Sequence, residues 1–156
     1  MRTTKRTPAG KALTDLVLDL FRLGSRMAAA GDRLVAELGL TSARWQILGA
    51  IVAAGQAQPV AWLARNLGAN RQNVQRIVND LEQESLVAFH TNPHHRRAQL
   101  VVLTDKGRQA YEAAMRLQAA WINGLADGLT AKEIGTTGRV IAALRKKLER
   151  NDEPEE

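Results

Sequence analysis

The chain of 156 residues has no cysteine. Disulfides, thiolate zinc sites, iron–sulfur clusters and thiol redox sensing are therefore excluded. No stretch approaches the roughly 20 apolar residues needed to span a bilayer, so no membrane partner is expected. Behind the polar start Met1-Arg2-Thr3-Thr4-Lys5-Arg6 there is no apolar signal-peptide core, and a cytoplasmic location is expected. No internal repeat is present. The order and spacing of Ser, His and Asp give no catalytic triad, no glycine loop could cradle phosphate, and no His-x-x-x-His pair falls on an expected helix. No enzyme, metal centre or cofactor is called for.

What the chain does carry is positive charge. Formal net charge is +6 and the sequence pI is about 10.3, with an ordinary hydrophobic fraction of 45%. A basic balance favours a polyanionic partner through phosphate neutralisation, although a charged surface also simply maintains solubility. The positive charge begins early. Arg2, Lys5, Arg6 and Lys11 precede the first acid, Asp15. Residues 1–10 read as a flexible basic arm, either plainly disordered or touching nucleic-acid backbone.

Apolar residues from Leu13 to Met27 recur at three- and four-residue steps, which predicts a helix over about 11–38 with a broad buried face. Gly24 and Gly31 mark bends or close packing. Gly39 suits a left-handed helix stop, and Thr41 suits the cap of a second helix over about Ser42 to Ala54. Gly55 to Gln58 reads as a loop, with Pro59 at the start of a short third helix, Val60 to Asn66. Gly68-Ala69-Asn70 is a turn, and Asn70 is placed to cap a fourth helix over about Arg71 to Glu84.

That fourth helix has two different faces. Val74, Ile77, Val78 and Leu81 form a buried stripe, while Arg71, Gln72, Gln75, Arg76 and Asn79 lie opposite. Its acids come late, at Asp80, Glu82 and Glu84. The helix dipole prefers acids first and bases last, so arginines at the start point to an external anion there. Two short β-rich runs follow, Leu86 to His90 and Gln99 to Leu103, around the turn former Asn92-Pro93. Their bend carries His94, His95, Arg96 and Arg97, four donors for which phosphate is the obvious partner. Thr104 and Asp105 start a long helix through about Leu125, a last helix follows Thr130, and 151–156 reads as a disordered acidic tail.

Short helix, glycine turn, polar-faced helix and basic-tipped hairpin, over Pro59 to Tyr111, are the ordered parts of a winged helix-turn-helix. The segments Leu40-Thr41-Ser42-Ala43-Arg44-Trp45-Gln46-Ile47-Leu48, Leu63-Ala64-Arg65-Asn66-Leu67-Gly68, Val78-Asn79-Asp80-Leu81-Glu82, Arg96-Arg97 and Leu103-Thr104-Asp105-Lys106-Gly107-Arg108 occur in the order seen in one family. The chain resembles the MarR family of winged-helix transcriptional regulators. The resemblance implies a mainly α fold with a small β-hairpin wing, a winged helix-turn-helix domain (39–104) embedded in a helical dimerisation region (11–38 and 105–150).

It also implies a homodimer on double-stranded DNA with a pseudo-palindromic operator. The fourth helix would enter the major groove with Arg71, Gln72, Asn73, Gln75 and Arg76, and the wing would reach the minor groove with His95, Arg96 and Arg97. Each arginine could meet guanine or phosphate. Family members often bind aromatic or phenolic effectors. Phe21, Met27, Arg44, Trp45, Tyr111, Met115 and Trp121 are candidates to line such a pocket, or are core. The expected function is a sequence-specific repressor released by a small ligand; the alternative is an architectural or non-specific DNA-binding protein.

Two positions depart from the family pattern. Where an acid usually precedes the paired arginines, this chain has His95 after His94, so either another group positions Arg97 or the wing gains pH-dependent charge. Where glycine often follows the recognition helix, this chain has Ser85, and a different turn is expected there.

Overall fold

A computed structural model describes residues 5–151. Six helices and three strands follow one another: α1 (Pro8–Val35), a 3-10 turn (Ala36–Leu38), α2 (Ser42–Ala54), β1 (Gln58–Pro59), α3 (Val60–Leu67), α4 (Arg71–Gln83), β2 (Val87–His90), β3 (Leu100–Leu103), α5 (Asp105–Ala126) and α6 (Ala131–Asn151). The chain forms two compact units, divided within α5 between Gln118 and Ala119.

Local chemistry sets most of the boundaries in the first unit. α1 starts three residues before Lys11, because Thr7 Oγ1 accepts the Gly10 N–H at 3.0 Å and Pro8 occupies the first turn, where its missing N–H costs nothing. Residues 8–10 of the expected arm are therefore helical, and residues 1–4 lie outside the described part. Gly39 takes φ +69° after the 3-10 turn, and Thr41 Oγ1 accepts the Arg44 N–H at 3.2 Å to cap α2. Gly31 is the close-packing glycine: a Cβ there would strike Ser42 Oγ, which donates to the Ala28 carbonyl at 2.6 Å. A Cβ at Gly24 would meet nothing.

The core of this unit gathers one face of each short helix and the sheet. Leu48, Leu63, Val74, Val78, Leu81 and Val101 are fully or almost fully buried. Replacing a leucine such as Leu63 by alanine would cost about 2–5 kcal/mol. The sheet has three strands in the order β1-β3-β2, all antiparallel. The hairpin was expected; β1 was not, since 55–58 read as a loop. Gln58 pairs with Val101 and Pro59 with Leu100, and a proline is tolerated there because β1 is an edge strand. β2 and β3 pair from Val87↔Leu103 to His90↔Leu100, so the wing projects beyond His90.

The second unit holds the end of α5, a turn at Gly128 (φ +77°) and α6. α6 is capped reciprocally: Thr130 Oγ1 accepts the Glu133 N–H at 3.2 Å, and Glu133 Oε2 accepts the Thr130 N–H at 2.9 Å. The hydrogen bonds from Thr130 hold the Glu133 carboxyl below its ordinary pKa. Asn151, read as the start of a disordered tail, is the last helical residue, and 152–156 lie outside the described part. Among the described residues no helix is long and apolar enough to cross a membrane.

Candidate nucleic-acid interface

α4 is capped by Asn70, whose Oδ1 accepts the N–H groups of Gln72 at 2.9 Å and Asn73 at 3.2 Å. Val74, Ile77, Val78 and Leu81 are buried, so the helix is fixed in rotation by its apolar face against α2 and α3. Arg71, Gln72, Asn73 and Arg76 are exposed, and Gln75 is half-buried. The first turn holds no acid.

The exposed side chains divide into held and free ones. Arg76 Nη2 donates to Asn73 Oδ1 at 2.9 Å, and Arg76 Nη1 lies 3.8 Å from Asp80 Oδ2. Gln75 Nε2 donates to Asn79 Oδ1 at 2.9 Å. Among the described residues, Arg71 and Gln72 have no side-chain hydrogen bond or ion pair. The sequence offered Asn79 and Asp80 only as a polar face and a late acid; one turn of helix makes them partners of Gln75 and Arg76.

The wing tip is built on Asn92, which is only 9% exposed. Its Oδ1 accepts the His94 N–H at 3.0 Å, its carbonyl accepts the His95 N–H at 3.3 Å, and the His95 carbonyl accepts the Ala98 N–H at 2.9 Å. Asn92 thus does more than start a turn: it ties the tip down from inside. His94, His95, Arg96 and Arg97 are all exposed. The wing sequence 86–103 contains no acid. Among the described residues no carboxylate pairs with Arg96 or Arg97, so the positioning that an acid would give Arg97 is absent.

The turn that joins α4 to the wing departs from expectation. Ser85 itself adopts the left-handed conformation at φ +59°, so the turn is retained and the serine bears its strain, about 1 kcal/mol. Neighbours secure it. The Ser85 carbonyl accepts from Thr104 Oγ1 at 2.6 Å, and the Glu84 carbonyl accepts from Lys106 Nζ at 2.8 Å. Gly107 must be glycine here, since a Cβ would collide with the Leu86 carbonyl oxygen.

The candidate pocket residues are scattered in character. Phe21 is 71% exposed. Met27 and Met115 are half-buried, as is Trp121 in the second unit. Trp45 and Tyr111 pack on the core. Arg44 is occupied: its Nη2 donates to Glu84 Oε1 at 2.7 Å and its Nη1 to the Gly39 carbonyl at 3.2 Å. That hydrogen bond, with the charge of Arg44 behind it, lowers the Glu84 pKa from its ordinary 4.5. An open crevice of about 330 Å³ lies elsewhere, at the root of β3, walled by Ile51, Val52, Ala57, Val102 and Arg108. None of these was a sequence candidate. Among the described residues no group of three or more His, Asp or Glu could hold a metal ion.

Comparison with known proteins agrees with this architecture. A family model described as MarR family matches residues 38–98. A Mycobacterium tuberculosis protein of uncharacterised function is 37% identical over 134 residues, which cover 83% of this chain and 92% of that protein. The crystal structure of a MarR family transcriptional regulator from Streptomyces coelicolor superposes with a TM-score of 0.76 at 26% identity, covering 91% of this chain and 99% of that one. CouR from Rhodococcus jostii, solved with p-coumaroyl-CoA bound, gives a TM-score of 0.75 at 19% identity, over 83% of this chain and 91% of that one. With its winged helix-turn-helix, its basic wing and these relatives, the chain belongs to the MarR family of winged-helix transcription regulators.

Proposed function

We propose that the protein is a homodimeric, operator-specific repressor. Residues 39–104 form its DNA-binding domain, and 11–38 with 105–150 form its dimerisation region. Two copies of α4 enter successive major grooves of a pseudo-palindrome, roughly 34–36 Å apart. Arg71, Gln72, Asn73, Gln75 and Arg76 face the groove, and His95, Arg96 and Arg97 reach the flanking minor groove. The observation that carries this reading is the absence of acid from both the first turn of α4 and the whole wing.

Dimerisation is supported by apolar side chains that each unit leaves in solvent. In the first, Leu18, Phe21 and Leu23 of α1 are at least half exposed. In the second, Leu125, Leu129, Ile134, Val140, Ile141 and Leu148 are all at least 40% exposed. Apolar surface on that scale belongs against a partner, and a second copy offers the same surface. Repression is the simpler sign, since a bound dimer blocks a promoter by occupancy and needs no further contact. Such a protein works in the cytoplasm, where its DNA is.

A small aromatic or phenolic effector would release it, in keeping with the aromatic acyl group bound by CouR. Phe21, Met27, Trp45, Tyr111 and Met115 are the proposed lining. Arg44 would serve an anionic effector only by leaving Glu84. The ligand acts by binding one dimer geometry better than the other.

The test is footprinting and gel shift with the DNA flanking its own gene, with unrelated duplex as competitor at fixed salt. Protection of a discrete palindrome that survives excess competitor is expected. Uniform protection abolished by competitor would instead make it an architectural, non-specific DNA-binding protein. Titrating phenols and aromatic carboxylates into the same assay tests release.

A further inference from the structure

We infer that Asn73, Arg76 and Asp80 act as one guanine-reading unit, in which Asp80 is a positioning residue that turns Arg76 away from phosphate and toward a base. The inference rests on the DNA-binding reading above and deepens it, because an arginine on a recognition helix can serve either partner.

The side-chain partners of Arg76 separate it from Arg71. Arg76 has a partner at two different nitrogens: Nη2 donates to Asn73 Oδ1 at 2.9 Å, and Nη1 lies 3.8 Å from Asp80 Oδ2, an ion-pair distance longer than a hydrogen bond. Its side chain is nonetheless 68% exposed, so it is braced at the surface and not buried. Arg71, in the first turn, has no such brace among the described residues, and no acid shares that turn.

The chemistry of the two targets then decides. A guanidinium has five N–H donors in a planar fork, so the contacts to Asn73 and Asp80 leave donors for a further acceptor. Guanine offers O6 and N7, which are neutral. Phosphate is an anion, and a carboxylate on the same guanidinium repels it. Asp80 therefore penalises phosphate more than guanine. It also lessens the freedom Arg76 would lose on binding, which favours a target that demands one orientation. Arg71, free and beside the positive end of the helix dipole, suits phosphate.

The experiment is a selection from randomised duplex with the full-length protein, run in parallel for wild type, Arg76→Ala, Arg71→Ala and Asp80→Asn. Wild type should select guanine at one position in each half-site. Arg76→Ala should lose that preference alone, while Arg71→Ala should keep it and bind all duplexes more weakly. Asp80→Asn should lower the guanine preference about tenfold and raise affinity for random duplex, at unchanged melting temperature. Opposite signs for specific and non-specific binding are a signature that a merely structural role would not produce. An unchanged guanine preference in Asp80→Asn, or its loss in Arg71→Ala rather than Arg76→Ala, overturns the inference and leaves the operator-binding reading standing. Failure of wild type to select any sequence overturns both.

Discussion

Arg44 Nη2 stands 2.7 Å from Glu84 Oε1 and joins the first turn of α2 to the end of α4, across 40 residues of sequence. The same guanidinium reaches the Gly39 carbonyl. One side chain therefore spans from the turn that ends α1 to the end of the proposed recognition helix, and this junction predicts a measurable pH dependence.

Glu84→Gln should lower stability at pH 7 by about 1 kcal/mol or less, since the pair is partly exposed at 20% and 47%. Glu84 has a depressed pKa in the folded protein, so its contribution is present above the unfolded value and is lost as pH falls through the folded one. Thermal melts of wild type and Glu84→Gln should differ at pH 7 and converge as the pH drops below 4.5, the ordinary value. Equal melting temperatures at pH 7 would show that the pair contributes nothing.

Ser85→Gly should stabilise the protein. Glycine carries no Cβ penalty at φ +59°, and relief of about 1 kcal/mol is partly offset by the greater freedom of glycine in the unfolded chain. Urea unfolding should show a higher midpoint with an unchanged slope; a lower midpoint would mean that Ser85 is not strained.

Arg97→Ala should weaken DNA binding evenly across sequences and reduce the slope of log affinity against log salt by about one for each phosphate it no longer neutralises. Gel shifts over a series of salt concentrations measure the slope, and an unaltered slope would remove Arg97 from the phosphate backbone.

Ile141→Glu and Leu148→Glu place charge on apolar positions of α6 that are 40% and 65% exposed. Sedimentation should show a monomer, and operator affinity should fall about 100-fold as two linked sites become one. A variant that remained dimeric would place the interface elsewhere.

Much of the fold was legible because its signals are local. Thr41, Asn70 and Thr104 cap the helices they precede, Gly39 and Gly68 end the helices before them in the left-handed conformation, and the period of Val74, Ile77, Val78 and Leu81 sets the buried face of α4. Each effect acts within a few residues, so the sequence carries it directly. β1 was not legible: a two-residue strand containing proline has neither alternation nor a full set of donors, and it exists only because β3 lies beside it.

The candidate site divides in the same way. Composition and spacing by themselves determined that α4 and the wing present basic surface, acid-free in the first turn of the helix and throughout the wing, since charge and helical period are properties of the chain. Tertiary structure alone decided that Arg44 is bound to Glu84 and that Ser85 keeps a left-handed turn whose carbonyl is held by Thr104. Those outcomes depend on packing between segments far apart in sequence, whose geometry no local propensity specifies.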